Sequence, residues 1–292
     1  MEFDEWLNAV SDTLITRFST DYRPSLHGYD FRIDYEDNVD FIELLAGSAH
    51  MSKAHCDEGM SVGFPMDICM GYDLNSKRGQ AMAWERIWLQ EPKLVFMAPV
   101  CTAWSPLSNA TPEPKRSLKK EEAMPMVNFC VKVAKHQIKG KRLFIIENPS
   151  ASAMWNLPIM KALSDGTAGV ARVNTHLCCF GMVGPVSGLS MRKSISLLGN
   201  LPNELKEDVI KVCKRDHEHQ TIIGSSRGSG SRAVISQVYP MSFCRAVAKT
   251  LSQILHSDET TAAPLVDVVS GPEVDEDLLP SCGEIATLNA MG

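Results

Sequence analysis

Four short runs along the chain are apolar almost without interruption, at residues 39–45, 60–66, 93–98 and 142–147. Runs of this length, bounded by small and turn-forming residues, predict buried strands. Segments with helical spacing follow them at 48–58, 76–90, 120–138 and 152–163. Strand–helix alternation predicts an α/β fold with a mostly parallel central sheet and helices on both faces. Right-handed crossovers then bring the strand C-termini to one edge, where ligands bind in such sheets. Residues 171–199 predict two more strands around the turn Gly181 to Gly188, and a last helix is expected from Met241 to Leu255. Between them, residues 200–236 are polar and rich in Gly and Ser, and predict a small irregular insert.

This divides the chain into a polar lead at 1–38, a core at 39–199, the insert at 200–236, a completing helix at 237–255 and a tail at 256–292. The lead contains an amphipathic helical pattern from Phe3 to Phe18, and the tail is expected to be disordered. A chain of 292 residues suits one large α/β domain with a small insert, or two small domains.

The net charge of −6 is unevenly spread. Residues 256–292 carry eight acidic residues and no Lys or Arg, and residues 1–58 carry thirteen acidic against four basic residues. That leaves 25 basic against 14 acidic residues in 59–255, a balance compatible with a phosphate backbone. No apolar run approaches the roughly 18 residues of a membrane span. The acidic start, Met1 to Trp6, lacks the basic region of a secretory signal. Nine scattered cysteines fit reduced thiols better than a disulfide framework. An intracellular location is expected, nuclear if the source is eukaryotic, with no membrane partner and a monomeric chain.

Pro99-Val100-Cys101-Thr102-Ala103-Trp104-Ser105 stands directly behind the run at 93–98. A cysteine thrown off a strand end onto a small-residue loop is placed to act as a nucleophile. Glu147, in Glu147-Asn148-Pro149, ends another strand. Attack of a thiolate on C6 of cytosine needs an acid at ring N3, and Glu147 has the chemistry for it. The basic segment Lys115 to Lys120 and a helix N-terminus are expected to lower the Cys101 pKa. Glu43-Leu44-Leu45-Ala46-Gly47-Ser48-Ala49 reads as a strand and turn that lets a backbone approach a nucleoside cofactor, or as a plain strand-to-helix turn. Asp67 can accept from ribose hydroxyls; Asp73 can accept from an adenine amino group or cap the next helix. Nucleophile, acid and cofactor loop together suggest methyl transfer to a pyrimidine.

These segments resemble the cytosine-5 DNA methyltransferase family, and most of all its divergent members associated with eukaryotic mobile elements. Pro99 to Ser105 is similar to the family's nucleophile segment and Glu147-Asn148-Pro149 to its Glu-Asn-Val. Glu43 to Ala49 is similar to its S-adenosylmethionine loop, and Ser236 to Met241 to its late Asn-x-Val-Pro element. The order is the family order across residues 40–250. The resemblance implies a Rossmann-like class I methyltransferase fold with 39–199 as the catalytic core. It implies a cofactor held by Glu43, Leu44, Ala46, Gly47, Ser48, Asp67, Asp73, Pro99 and Val238. It also implies that Cys101 attacks C6 and Glu147 engages N3. The family's Gln-x-Arg-x-Arg element is not present as such, and Arg192 is carried over to engage the cytosine carbonyl. Val100 stands where the family has a second proline.

The substrate implied is DNA, with RNA or an inactive nucleic-acid-binding module as alternatives. Trp104, Ser105, Asn148, Lys115, Arg116, Arg227 and Arg232 are the candidates for contacting it. A target base in a duplex has to be flipped out of the stack. Cys213, His217 and His219, with Cys178 or Cys179 upstream, have zinc-ligand types. Their spacing is not that of a common finger, so polar surface with buried thiols, and no metal, is expected.

Overall fold

The computed structural model describes residues 33–34, 38–184, 186–226 and 230–257. The amphipathic pattern at 3–18, Arg227 and nearly all of the tail lie outside the described residues. The described residues form one unit.

Phe41–Leu44 (β1), Leu94–Met97 (β2) and Leu143–Pro149 (β3) pair in parallel. Their side chains are almost all buried on both faces, which is why the runs read as continuously apolar. Ala171–His176 (β4) and Ser194–Gly199 (β6) complete a sheet of order β1-β2-β3-β6-β4, and two-residue β5 is Ser190–Met191. β6 runs antiparallel to both β3 and β4, so one of the five strands is reversed. Helices flank both faces, and the architecture is Rossmann-like.

On one face lie His50–Asp57 (α1), Asn203–Val209 (α5) and the long final helix Met241–Ser257. Phe41 stacks on His55 of α1 at 3.7 Å. The other face carries Lys77–Gln90 (α2), Lys115–Lys139 (α3) and Pro158–Asp165 (α4). There Trp84 meets Phe129 and His136 edge-on. The remaining short elements are His219–Gln220 (β7), Ser225–Ser226 (β8), Gly230–Ser231 (β9) and Arg232–Ile235 (α6). The final helix is therefore α7.

Three segments differ from the sequence expectation. Residues 60–66 run beside β1 but make only isolated parallel bridges, Phe41 with Val62 and Leu44 with Met66. Pro65 has no N–H to offer a ladder, which confines such a segment to an edge. α3 begins at Lys115 rather than 120, because Glu113 accepts from the Ser117 N–H and hydroxyl and substitutes for a cap. Residues 200–209 are not irregular. Asn200 bonds both Phe144 N and the Arg142 carbonyl, and Leu205 and Val209 of α5 are buried. No helix among the described residues is long and apolar enough to cross a membrane.

Candidate active site

Register places Glu43, Phe96 and Ile145 side by side on the α1/α7 face, with Glu147 two residues further on. The C-terminal ends of β1, β2 and β3 therefore open on one edge, and the loops bearing the candidate chemistry leave from there.

Cys101 sits half-buried in the loop after β2. Its carbonyl accepts from Trp104 N at 3.0 Å and Ser105 N at 2.8 Å, which turns the chain sharply behind it. The exit of β3 grips this loop on both sides of the cysteine. Asn148 Nδ2 donates to the Pro99 carbonyl at 2.6 Å, and Ala153 N donates to the Trp104 carbonyl at 2.8 Å. Asn148 is fully buried, and this bond makes it a positioning residue for the nucleophile loop.

Glu147 is buried, and its Oε2 accepts from the Tyr239 hydroxyl at 2.7 Å. Its Oε1 is buried without a protein partner, as are Asn148 Oδ1 and Trp104 Nε1. Buried polar atoms are nearly always satisfied, so an orphaned carboxyl oxygen beside a thiol points to a ligand. Burial pushes the Glu147 pKa up, against the opposing pull of Lys193 and of the Tyr239 hydroxyl. Its protonated form can donate to a ring nitrogen.

Burial also raises the Cys101 pKa, and Glu147 adds to this, while Lys193 opposes it. This corrects the expectation that Lys115 to Lys120 lowers it: the cation acting on the thiol is Lys193. Lys193 Nζ donates to the Ser236 carbonyl at 2.8 Å and lies 5.7 Å from the centre of the Tyr239 ring. Arg192 is exposed, and its charge bears on His176 and His219 instead of on Cys101 and Glu147. Sequence reasoning missed Lys193 and Tyr239. Met191 is buried, so an alternation of inward and outward side chains from it would have selected Lys193 over Arg192.

The loop after β1 holds Leu45, Gly47 and Ala49 at φ of 59°, 51° and 52°. Left-handed backbone at Leu and Ala costs energy and persists where surrounding structure enforces it. Here Leu45 N and Ala46 N donate to the Met66 carbonyl, and Gly47 N donates to Asp67 Oδ2 at 3.0 Å. A Cβ on Gly47 would meet nothing within 4 Å, so this turn is open on its outer side. Ala46 is buried and Ser48 half-buried. The loop and Asp67 fit a nucleoside cofactor.

Two residues assigned to that cofactor lie beneath it. Leu44 is fully buried in the core and offers only its backbone. Glu43 is buried, and its Oε2 accepts from Ser52 N at 2.8 Å and Ser52 Oγ at 2.6 Å, tying β1 to α1. Burial pushes the Glu43 pKa up to about 7. Asp73 Oδ1 accepts from Asn75 N, while Ser76, not Asp73, caps α2. Pro99 is buried and Val238 exposed. Next to Val238, the Tyr239 carbonyl accepts from His50 Nδ1 at 2.9 Å, so Tyr239 joins the start of α1 to Glu147.

Of the residues expected to contact nucleic acid, Trp104, Ser105 and Asn148 lie on or against the Cys101 loop, and Arg116 reaches Asn109 in the turn that follows it. Trp104 is buried, so its ring is not displayed to a duplex in this structure. Ser105 caps the 3-10 turn Pro106–Ala110. Lys115 is exposed at the first residue of α3, and Arg116 pairs with Glu113 at 2.7 Å. Arg232 donates to the carbonyls of Thr221 and Ile223 and ties the insert together.

No family model matches the chain, and no curated protein matches it. Among solved structures, the crystal structure of the S. pombe Dnmt2 methyltransferase is similar over 63% of this chain and 58% of that chain, at 14% sequence identity and a TM-score of 0.35. This chain thus spans less than two thirds of that chain's length.

Proposed function

We propose that the protein is an S-adenosylmethionine-dependent methyltransferase acting on C5 of cytosine in DNA. The observation that carries this reading is Glu147: buried, raised in pKa, with Oε2 on Tyr239 and Oε1 unpartnered, in the same field of Lys193 as Cys101. The Cys101 thiolate forms a bond to C6 while Glu147 donates its proton to N3, so the ring takes up the electron pair without becoming an anion. The cofactor supplies a methyl group on a sulfonium, to be received by C5. Loss of the C5 proton to water then expels the Cys101 thiolate, and N3 returns its proton to Glu147. Gly47, Ser48 and Asp67 would hold the cofactor, and the basic middle of the chain favours a phosphate backbone.

Residues 200–209 belong to the core, which shortens the segment left to read bases. That observation favours structured RNA as the second reading. The test is covalent trapping. The protein and Cys101→Ala are incubated with S-adenosylmethionine and a duplex carrying 5-fluorocytosine, whose C5 fluorine cannot leave as a cation. A denaturant-resistant, Cys101-dependent complex is expected. An adduct formed only with 5-fluorocytosine RNA would move the substrate to RNA. No adduct with either, despite cofactor binding, would leave an inactive module.

A further inference from the structure

Outside the set of residues just described, four side chains with metal-ligand chemistry converge. Cys178, Cys213, His217 and His219 each offer one ligand atom, and all of these lie within 4.8 Å of one another. Cys178 comes from the 3-10 turn Leu177–Phe180 behind β4, and the other three from the stretch between α5 and the start of β7. Along the sequence, Cys213 to His219 lacks the spacing of a common finger. The fold supplies the fourth ligand from 35 residues upstream.

The distances suit a tetrahedral ion. Cys213 Sγ lies 3.8 Å from His217 Nε2 and 3.4 Å from His219 Nε2. With Zn–S of about 2.3 Å and Zn–N of about 2.0–2.1 Å, a tetrahedron has an S···N edge of about 3.6 Å. The outer shell fits as well. Asp216 Oδ1 lies 2.8 Å from His217 Nδ1, the carboxylate–imidazole pairing that holds a ring with Nε2 turned to a metal. Arg215 N donates to Cys213 Sγ at 3.3 Å across a turn in which Arg215 has a φ of 61°, which fixes the sulfur's position.

We propose that Cys178, Cys213, His217 and His219 bind one zinc ion as a closed structural site. Two thiolates and two imidazoles in tetrahedral array select zinc over harder divalent ions. The stretch also needs such an anchor. From Lys211 to Thr221, Cys213 alone is buried, so apolar packing cannot offset the entropy of ordering it. Binding supplies that free energy directly. The ion would pin this stretch to the end of β4, one residue from Leu177, whose N–H donates to the Lys193 carbonyl at 2.9 Å.

The test uses the full chain purified without chelator. One zinc per chain by mass spectrometry is expected, and replacement by cobalt should give the visible bands of a tetrahedral two-thiolate site. His219→Ala should lose the metal and His219→Cys should keep it. Asp216→Asn should weaken retention against a competing chelator by roughly 10–100-fold. Cys179→Ser, altering the half-buried neighbour outside the ligand set, should retain the ion, while Cys178→Ser should not. If a variant fails to fold, the cobalt spectrum of the unaltered chain still decides. A zinc-free chain whose added cobalt stays octahedral overturns the proposal. So does loss of the metal from Cys179→Ser with retention in Cys178→Ser.

Discussion

Replacing Glu43 by glutamine should remove a pH dependence from the stability of the whole fold. Glu43 is buried under the β1 loop, and burial carries its pKa from 4.5 to about 7 in the folded chain, the Ser52 hydrogen bonds opposing the rise only in part. In the unfolded chain the carboxyl ionises near its ordinary value. Between the two, the folded state holds the proton and the unfolded state does not. Stability is therefore fully present below pH 4.5 and lost as pH rises through 7, where the folded protein finally ionises a buried group. At about 1.36 kcal/mol per pH unit, the interval amounts to about 3 kcal/mol. The amide introduced by Glu43→Gln keeps an acceptor for Ser52 and does not titrate. Urea unfolding of both proteins from about pH 4.5 to about pH 8 isolates this contribution, since every other titrating group is shared. The variant should gain about 3 kcal/mol relative to the parent across that range. Parallel curves would refute the assignment of a protonated Glu43, and a falling difference would reverse its sign.

Asn148→Ala removes a fully buried bond to Pro99 and should cost about 1–3 kcal/mol in urea unfolding. The released Cys101 loop should slow adduct formation by roughly 100-fold, with cofactor affinity nearly unchanged; an unchanged adduct rate would free Asn148 of any positioning role. Tyr239→Phe removes the donor that favours ionised Glu147, so Glu147 stays protonated to higher pH. The alkaline limb of the adduct rate should move upward, and a downward move would contradict it. Lys193→Gln keeps a donor for the Ser236 carbonyl but removes the charge that favours the Cys101 thiolate. The pH profile of Cys101 alkylation should shift upward, and an unmoved profile would put the controlling cation elsewhere.

Much of the sheet is legible along the chain because β1, β2 and β3 are buried on both faces, and such strands announce themselves as largely apolar runs, broken here by Glu43 and Glu147. Cys101 and Glu147 could be placed at strand ends for the same reason. What escaped depends on direction or on distance. Arg192 and Lys193 are equivalent in composition, and only the inward set of Met191 separates them. Tyr239 meets Glu147 across 92 residues of sequence, which no local pattern encodes. Trp104 reads as an available aromatic, yet the turn at Cys101 folds it inward. Residues 200–209 look polar because α5 buries only Leu205 and Val209 among charged neighbours.

The reversed strand has a consequence for the order in which the chain can be assembled. β6 lies between β3 and β4 although both precede it in the sequence. During synthesis β3 therefore waits with one edge unpaired, from Ile145 to Pro149, until residues 195–199 emerge to cover it. That edge carries Glu147 and Asn148. A nascent chain stalled before β6 would display an apolar, open strand of the kind that recruits other strands. The segment that carries the acid is thus also the one whose protection comes late, and a ribosome pausing between β4 and β6 would expose it to aggregation.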